Sequence, residues 1–334
     1  MATPEELTQW LASSGYLESG EVTAVQVETS GYTASLSALN RLTLTYSSDA
    51  TGTCPGTCLE KTSSGPTYML GRAEATFYRT MAEHNYTRNL PVVYAAVNDD
   101  EAQTASVLMG ELTDTLTPRE WPVPPASDLC RNAVLTLADF HADWAGSTLM
   151  EHALADQAGS GRFSAERYSA VSKALIERLG DALTPERATL IETLAQAYPA
   201  ALEERITTSS LATVVHGDAH FWNMLFPRDP AQPPTLIDWQ VWGADLGTAD
   251  LAYMMALHWF PERRARFERS LVDAYAQRLG QPQDLVWSSY RFSVAGLIPR
   301  TALFASVIPA FIWWPHLERA FNAYDDLECR EFFS

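Results

Sequence analysis

The stretch TVVHGDAHFWNMLF, Thr213 to Phe226, decides how the rest of the chain is read. Its β-branched apolar start, Thr213-Val214-Val215, predicts a short buried strand that delivers His216-Gly217-Asp218 into a loop. The loop leaves through a second apolar run, Met224-Leu225-Phe226. Polar groups are thereby expected at the mouth of a packed core. Asn223 lies five residues beyond Asp218, and TLIDWQ then supplies another apolar strand ending on Asp238. Two carboxylates and an amide offer oxygen acceptors, which suit both a hard cation and a hydroxyl that has to lose a proton.

The pattern H-G-D-x-x-x-x-N, followed by Asp238-Trp239-Gln240, has the spacing of a kinase catalytic loop and its later metal-binding aspartate. It resembles the aminoglycoside phosphotransferase and choline kinase superfamily. Within that superfamily, Gln240 and the Asp250-Leu251-Ala252-Tyr253 run are similar to the ecdysteroid-kinase-like small-molecule kinases. The resemblance implies an α+β, protein-kinase-like fold of two lobes, with residues 1–112 forming an antiparallel β lobe for nucleotide and residues 113–334 a helical lobe for catalysis and acceptor binding. It also implies ATP as donor, Asp218 as catalytic base, Asn223 and Asp238 as ligands to Mg²⁺, and a small-molecule hydroxyl as acceptor.

Composition narrows the alternatives. The formal charge of -18 over 334 residues argues against a nucleic-acid surface, which needs clustered Lys and Arg. Only two lysines occur, Lys61 and Lys173, so each asks for a specific explanation. No basic segment precedes an apolar core at the N-terminus, and the apolar stretch from Val294 to Trp314 is broken by Pro299, Arg300 and Pro309. Core helices are expected there instead of a membrane span, and a cytoplasmic protein follows. Cys54-Pro-Gly-Thr-Cys58 has near-metal spacing but no second pair to complete a tetrahedral site, so reduced thiols in a hairpin are expected.

From the start of the chain, Pro4 to Leu17 predicts a helix, and Val22–Val27 and Leu42–Tyr46 alternate as strands around a Gly-, Ser- and Thr-rich turn. In a kinase-like lobe that turn covers nucleotide phosphates, with Ser30, Gly31 and Thr33 offering amides and hydroxyls. The strand Cys58–Thr62 carries Lys61, and the amphipathic run Gly71–His84 carries Glu74 beside its apolar face of Ala73, Phe77 and Met81. The kinase arrangement makes Lys61 the phosphate-binding lysine, fixed by Glu74. Glu60 and Glu83 read as solvated. Strands Pro91–Val97 and Ala105–Met109 complete the lobe, and Gly110-Glu111-Leu112 takes the place where adenine meets hinge backbone in the related kinases, with Gly110 in place of their acidic residue.

Beyond the Pro-rich segment Thr117–Pro125 the pattern turns helical. Asp128 is expected to cap a helix reaching His141, and Thr184 with Pro185 announces another. Around the central loop, His216 reads as a structural residue bonding its own backbone, Gln240 as part of the metal shell or a loop support, and Asp250 as a support of the catalytic loop through capping or buried hydrogen bonds. His220 is either a neighbour of the acceptor or a satisfied surface histidine. Trp313 and Trp314 either wall the acceptor pocket or belong to the core. Two other functions fit parts of the pattern: a metal-dependent hydrolase using His216, Asp218, His220 and Asp238, which leaves Lys61 and Glu74 without a task, and a catalytically silent kinase-like binding protein.

Overall fold

A computed structural model describes residues 2–29, 37–112, 116–118, 120, 122–160 and 164–333, with the backbone alone for 155–160. The chain divides into two compact units, one formed by residues 1–117 with 235–242, the other by 118–234 with 243–334.

The first unit is built on a five-stranded antiparallel sheet in the order β1-β2-β3-β5-β4, comprising β1 (Val22–Thr29), β2 (Ala38–Tyr46), β3 (Thr57–Ser64), β4 (Val93–Asp99) and β5 (Thr104–Gly110). Helix α1 (Pro4–Ser13) opens with a Thr3–Glu6 capping box and packs near β1 and β4, whereas α2 (Tyr68–Glu83) covers β3, β4 and β5. β3 is the central strand, so both of its faces are covered. Neighbouring side chains on a strand point to opposite faces. Glu60 therefore turns with Cys58 toward α1, where it accepts the Ala2 amide at 2.9 Å, while Lys61 turns toward α2. Glu60 is fully buried, which corrects its expected solvation.

Helix α2 begins at Tyr68, earlier than the apolar pattern suggested, and buries Tyr68, Gly71, Glu74, Ala75, Phe77, Tyr78 and Met81. Glu74 thus lies on the buried face, and Ala73 is only half-buried. Gly71 makes the close approach to β3 possible, because a Cβ there would stand 2.4 Å from that of Ser63. The short strand β6 (Leu116–Thr117) follows β5 in the chain.

The second unit is mostly helical. Its helices are α3 (Ser127–Trp144), α4 (Thr148–Ser160), α5 (Ala165–Leu179), α6 (Pro185–Thr208), α7 (Thr248–Ala252), α8 (Pro261–Leu279), α9 (Gln283–Phe304) and α10 (Ala310–Asp326). Asp128 sits inside the first turn of α3 and Ala126 takes the cap position without a side-chain bond, so the expected Asp128 cap is displaced. The carboxylate still faces the positive end of the helix dipole. Thr184 caps α6 as expected, accepting the Arg187 amide. Strand β7 (Ala212–Val215) is buried at every residue and pairs antiparallel with β10 (Gly243–Leu246). β8 (Met224–Pro227) leaves the intervening loop, and β9 (Thr235–Leu236) belongs to the first unit. After α7 the chain makes a wholly buried π-helical turn, Tyr253–Leu257. Among the described residues no helix is long and apolar enough to cross a membrane.

Candidate active site

In the first unit, Lys61 Nζ lies 2.7 Å from Glu74 Oε2 and 2.7 Å from Asp238 Oδ1. Burial opposes the lysine's charge, but the two carboxylates outweigh it and hold the ammonium ionised. Burial likewise pushes the Glu74 carboxyl up, offset in part by Lys61 and by the Trp239 amide. Asp238 adopts φ +67, a left-handed conformation uncommon outside glycine but tolerated by Asp. Its neighbours hold it there. Trp239 is fully buried and stacks on Phe77 with centroids 3.9 Å apart, Trp242 Nε1 donates to the Ala73 carbonyl, and Gln240 Nε2 donates to Ser37 Oγ at 2.9 Å. Segment 235–242 is fastened along α2 by these contacts, and strain of this kind persists only where surroundings over-determine it.

At the end of β5, Glu111 accepts from Arg41 Nε at 2.8 Å, which commits its carboxylate to the protein. The Gly110 amide donates to Val92 O, and Leu112 O accepts from the Leu116 amide. Ser30, Gly31 and Thr33 lie outside the described residues.

In the second unit, the loop after β7 hangs from one buried carboxylate. Asp250 accepts the His216 amide at 2.8 Å, the Gly217 amide at 2.9 Å and His141 Nε2 at 3.1 Å. His141 Nε2–H donates to the carboxylate, and His141 Nδ1 shares a hydrogen bond with the Tyr275 hydroxyl at 2.7 Å. Burial raises the Asp250 carboxyl, yet His141, His216 and the Gly217 amide bring it below the ordinary range. Gly217 turns the chain at φ +81. His216 bonds its own loop, its Nδ1 accepting the Asp218 amide at 3.2 Å.

This suspension presents Asp218 to a crowd of donors. Asn223 Nδ2 donates to Asp218 Oδ2 at 2.9 Å and to its carbonyl at 3.0 Å. The Tyr253 hydroxyl helps to lower the same carboxyl, and His220 Nε2 lies 3.5 Å from Oδ2. Burial pushes the carboxyl up, but His220, Tyr253, His216 and Arg300 together lower it to about 2. Asp218 is ionised at any ordinary pH. Arg300 donates to the Gly217 carbonyl and stacks over the Tyr253 ring at 4.6 Å.

His220 is not a satisfied surface histidine: it is half-buried, its Nδ1 is buried without a hydrogen-bond partner, and its ring packs on Trp222 and His258. Trp313 is buried beneath the Arg178 guanidinium, so its indole belongs to the core; Trp314 is half-buried and meets it edge-on. His216 gives its Nδ1 to its own loop, and among the described residues no three His, Cys, Asp or Glu side chains are grouped to hold a metal ion, as the hydrolase alternative requires.

Three members of this site escaped sequence reasoning as functional: His141, Tyr253 and Arg300. Their signals were present. His141 interrupts the apolar stripe of α3, Tyr253 ends the Asp-Leu-Ala-Tyr run, and Arg300 is the single charge in the apolar stretch Val294–Trp314.

Comparison with known proteins gives a consistent result. The family model described as "Phosphotransferase enzyme family" matches residues 57–291, from β3 into α9. No curated protein matches the sequence. Among solved structures, a candidate aminoglycoside phosphotransferase from Ralstonia eutropha JMP134 is 17% identical with a TM-score of 0.58, over 98% of each chain. The microcompartment-associated aminopropanol kinase is 14% identical with a TM-score of 0.54, over 97% of this chain and 96% of the other. The ethanolamine kinase of Plasmodium vivax is 10% identical with a TM-score of 0.52, over 92% and 82%. At such identities the likeness is one of fold, and the protein-kinase-like architecture is shared.

Proposed function

Because this chain belongs to the phosphotransferase enzyme family, we propose that it moves the terminal phosphoryl group of ATP to a hydroxyl of a small molecule, with Asp218 as the base. The observation that carries this is the Asp218 carboxylate, held ionised by Asn223, Tyr253 and His220 on a loop that Asp250 suspends. An acceptor hydroxyl hydrogen-bonded to that carboxylate is aligned for attack. With a value of about 2, Asp218 is too weak a base to deprotonate an alcohol beforehand. It takes the proton late, as the new P–O bond forms, which is what a loose transition state asks.

The donor chemistry suits Mg²⁺. Asn223 spends its amide nitrogen on Asp218, which leaves the amide oxygen as an acceptor, and the Asp238 side chain remains 33% exposed while its Oδ1 faces Lys61. When bound, the ion neutralises charge on the phosphate oxygens. Lys61, fixed by Glu74 and Asp238, adds a second positive charge for the nucleotide phosphates. Catalysis then rests on orientation and electrostatics.

The test is nucleotide consumption by the purified protein against a panel of alcohols, with phosphorus NMR to identify the product. Mg²⁺-dependent appearance of a phosphate monoester is expected. Nucleotide binding without turnover on any alcohol would favour the silent binding protein.

A further inference from the structure

Residues 301–317, from the end of α9 into α10, form a run of seventeen without one Asp, Glu, Lys or Arg, in a chain carrying 41 acidic and 23 basic residues. The run is tied to Asp218 at both ends. At one end, Phe304 meets the Tyr253 ring edge-on at 6.2 Å, and Arg300, which stands over that ring, donates to the carbonyl of Gly217 beside Asp218. At the other, His316 packs on His258 at 4.7 Å, and His258 on His220 at 5.3 Å, whose Nε2 faces Asp218. Between these anchors the apolar side chains turn outward: Val307 is 65% exposed and Phe311 70% exposed, with Ile308, Ile312 and Trp314 half-buried beside them. A charge-free apolar surface joined to the reacting carboxylate is uncommon on a protein this acidic.

We propose that this surface seats the acceptor, and that the acceptor is an uncharged alcohol with an apolar body. The inference rests on the phosphotransfer reading and adds the class of substrate. Two observations disfavour an ammonium-bearing acceptor. No carboxylate lies on the run, and the two rings at its Asp218 end already carry a guanidinium, Arg300 standing over Tyr253 at 4.6 Å and over Phe304 at 5.5 Å. A second cation beside Asp218 would be repelled by Arg300. His258 and His316 add no charge, since burial depresses His258 well below the ordinary range and His316 to about 4. Neutral rings, a hydrocarbon platform and one carboxylate fit a molecule that is oily except at its hydroxyl.

The experiment is a matched pair of probes, cyclohexylmethanol and the same compound carrying an aminomethyl group on the ring, with binding followed by ligand-observed NMR. The wild-type protein is expected to bind the neutral probe at least about tenfold more tightly, with little dependence on salt. Phe311→Glu and Val307→Glu place a carboxylate at exposed positions where folding is not at stake, and are expected to reverse the preference. The readout is binding of the two probes and not turnover, so a failed base role for Asp218 would leave it unchanged. Tighter binding of the cationic probe, equal binding of both, no detectable binding of either, or an unaltered preference in both glutamate variants overturns the proposal.

Discussion

The two sets of candidate site residues are held in opposite ways. In the first unit, Lys61 and Glu74 come from neighbouring elements and Asp238 from a distant part of the sequence, and Lys61 holds both carboxylates by direct ion pairs. The charges proposed to act on nucleotide are also the fastening. In the second unit, function and fastening are divided: Asp250 and His141 carry the loop through backbone amides, while Asp218 faces outward from it with its side chain 28% exposed. Changing a charge in the first set should therefore damage the fold as well as activity. In the second set the two consequences should separate.

Lys61→Met is expected to have the largest effect on stability. It leaves Glu74 buried without its cation, and breaking a buried pair costs about 3–5 kcal/mol. The loss should depend on pH. Glu74 already titrates above its ordinary value, so as pH falls through that raised value the uncompensated carboxylate takes a proton and part of the stability returns. Denaturant melts at neutral and mildly acidic pH check this; an equal loss at both would show that Glu74 is not the group left exposed.

Asp250→Asn comes next, at about 2–3 kcal/mol, because an amide cannot receive the His216 and Gly217 amides and His141 with the same charge-assisted strength. Hydrogen exchange should speed at the His216 and Gly217 amides. Unchanged protection there would mean that the loop is held by something else. Asp250 and Asp218 both titrate below the ordinary carboxyl range in the folded protein, so each contributes stability that is present above about pH 4. That contribution fades as pH falls, for Asp218 through about pH 2, so acid unfolding should begin earlier in a variant with these values restored.

His216→Ala removes the hydrogen bond from the Asp218 amide, which is worth about 1 kcal/mol. Its turnover should fall less than that of an Asp218 variant. A fall as deep would place His216 in the chemistry itself.

The same contrast governs what was legible in the sequence. The loop from His216 to Asn223 is contiguous, so spacing alone displayed it, and the order strand-lysine then helix-glutamate displayed Lys61 and Glu74. Side chains acquired by tertiary packing were harder to see. Tyr253, Arg300 and His141 reach the loop from the π-helical turn, α9 and α3, and no local pattern joins them. Glu60 read as solvated because an alternating strand does not reveal whether a second helix covers its other face; α1 does. Trp313 could be assigned to pocket or core only once Arg178 was seen above it.

The central claim is that Asp218 does chemistry on a loop whose structure does not depend on it. Turnover and denaturant stability of Asp218→Asn, measured side by side, test it most directly. The predicted result is turnover lowered at least about a hundredfold, with the protein still folded, stability lowered by no more than about 2–3 kcal/mol and nucleotide affinity unchanged. Turnover close to that of the parent protein would contradict it.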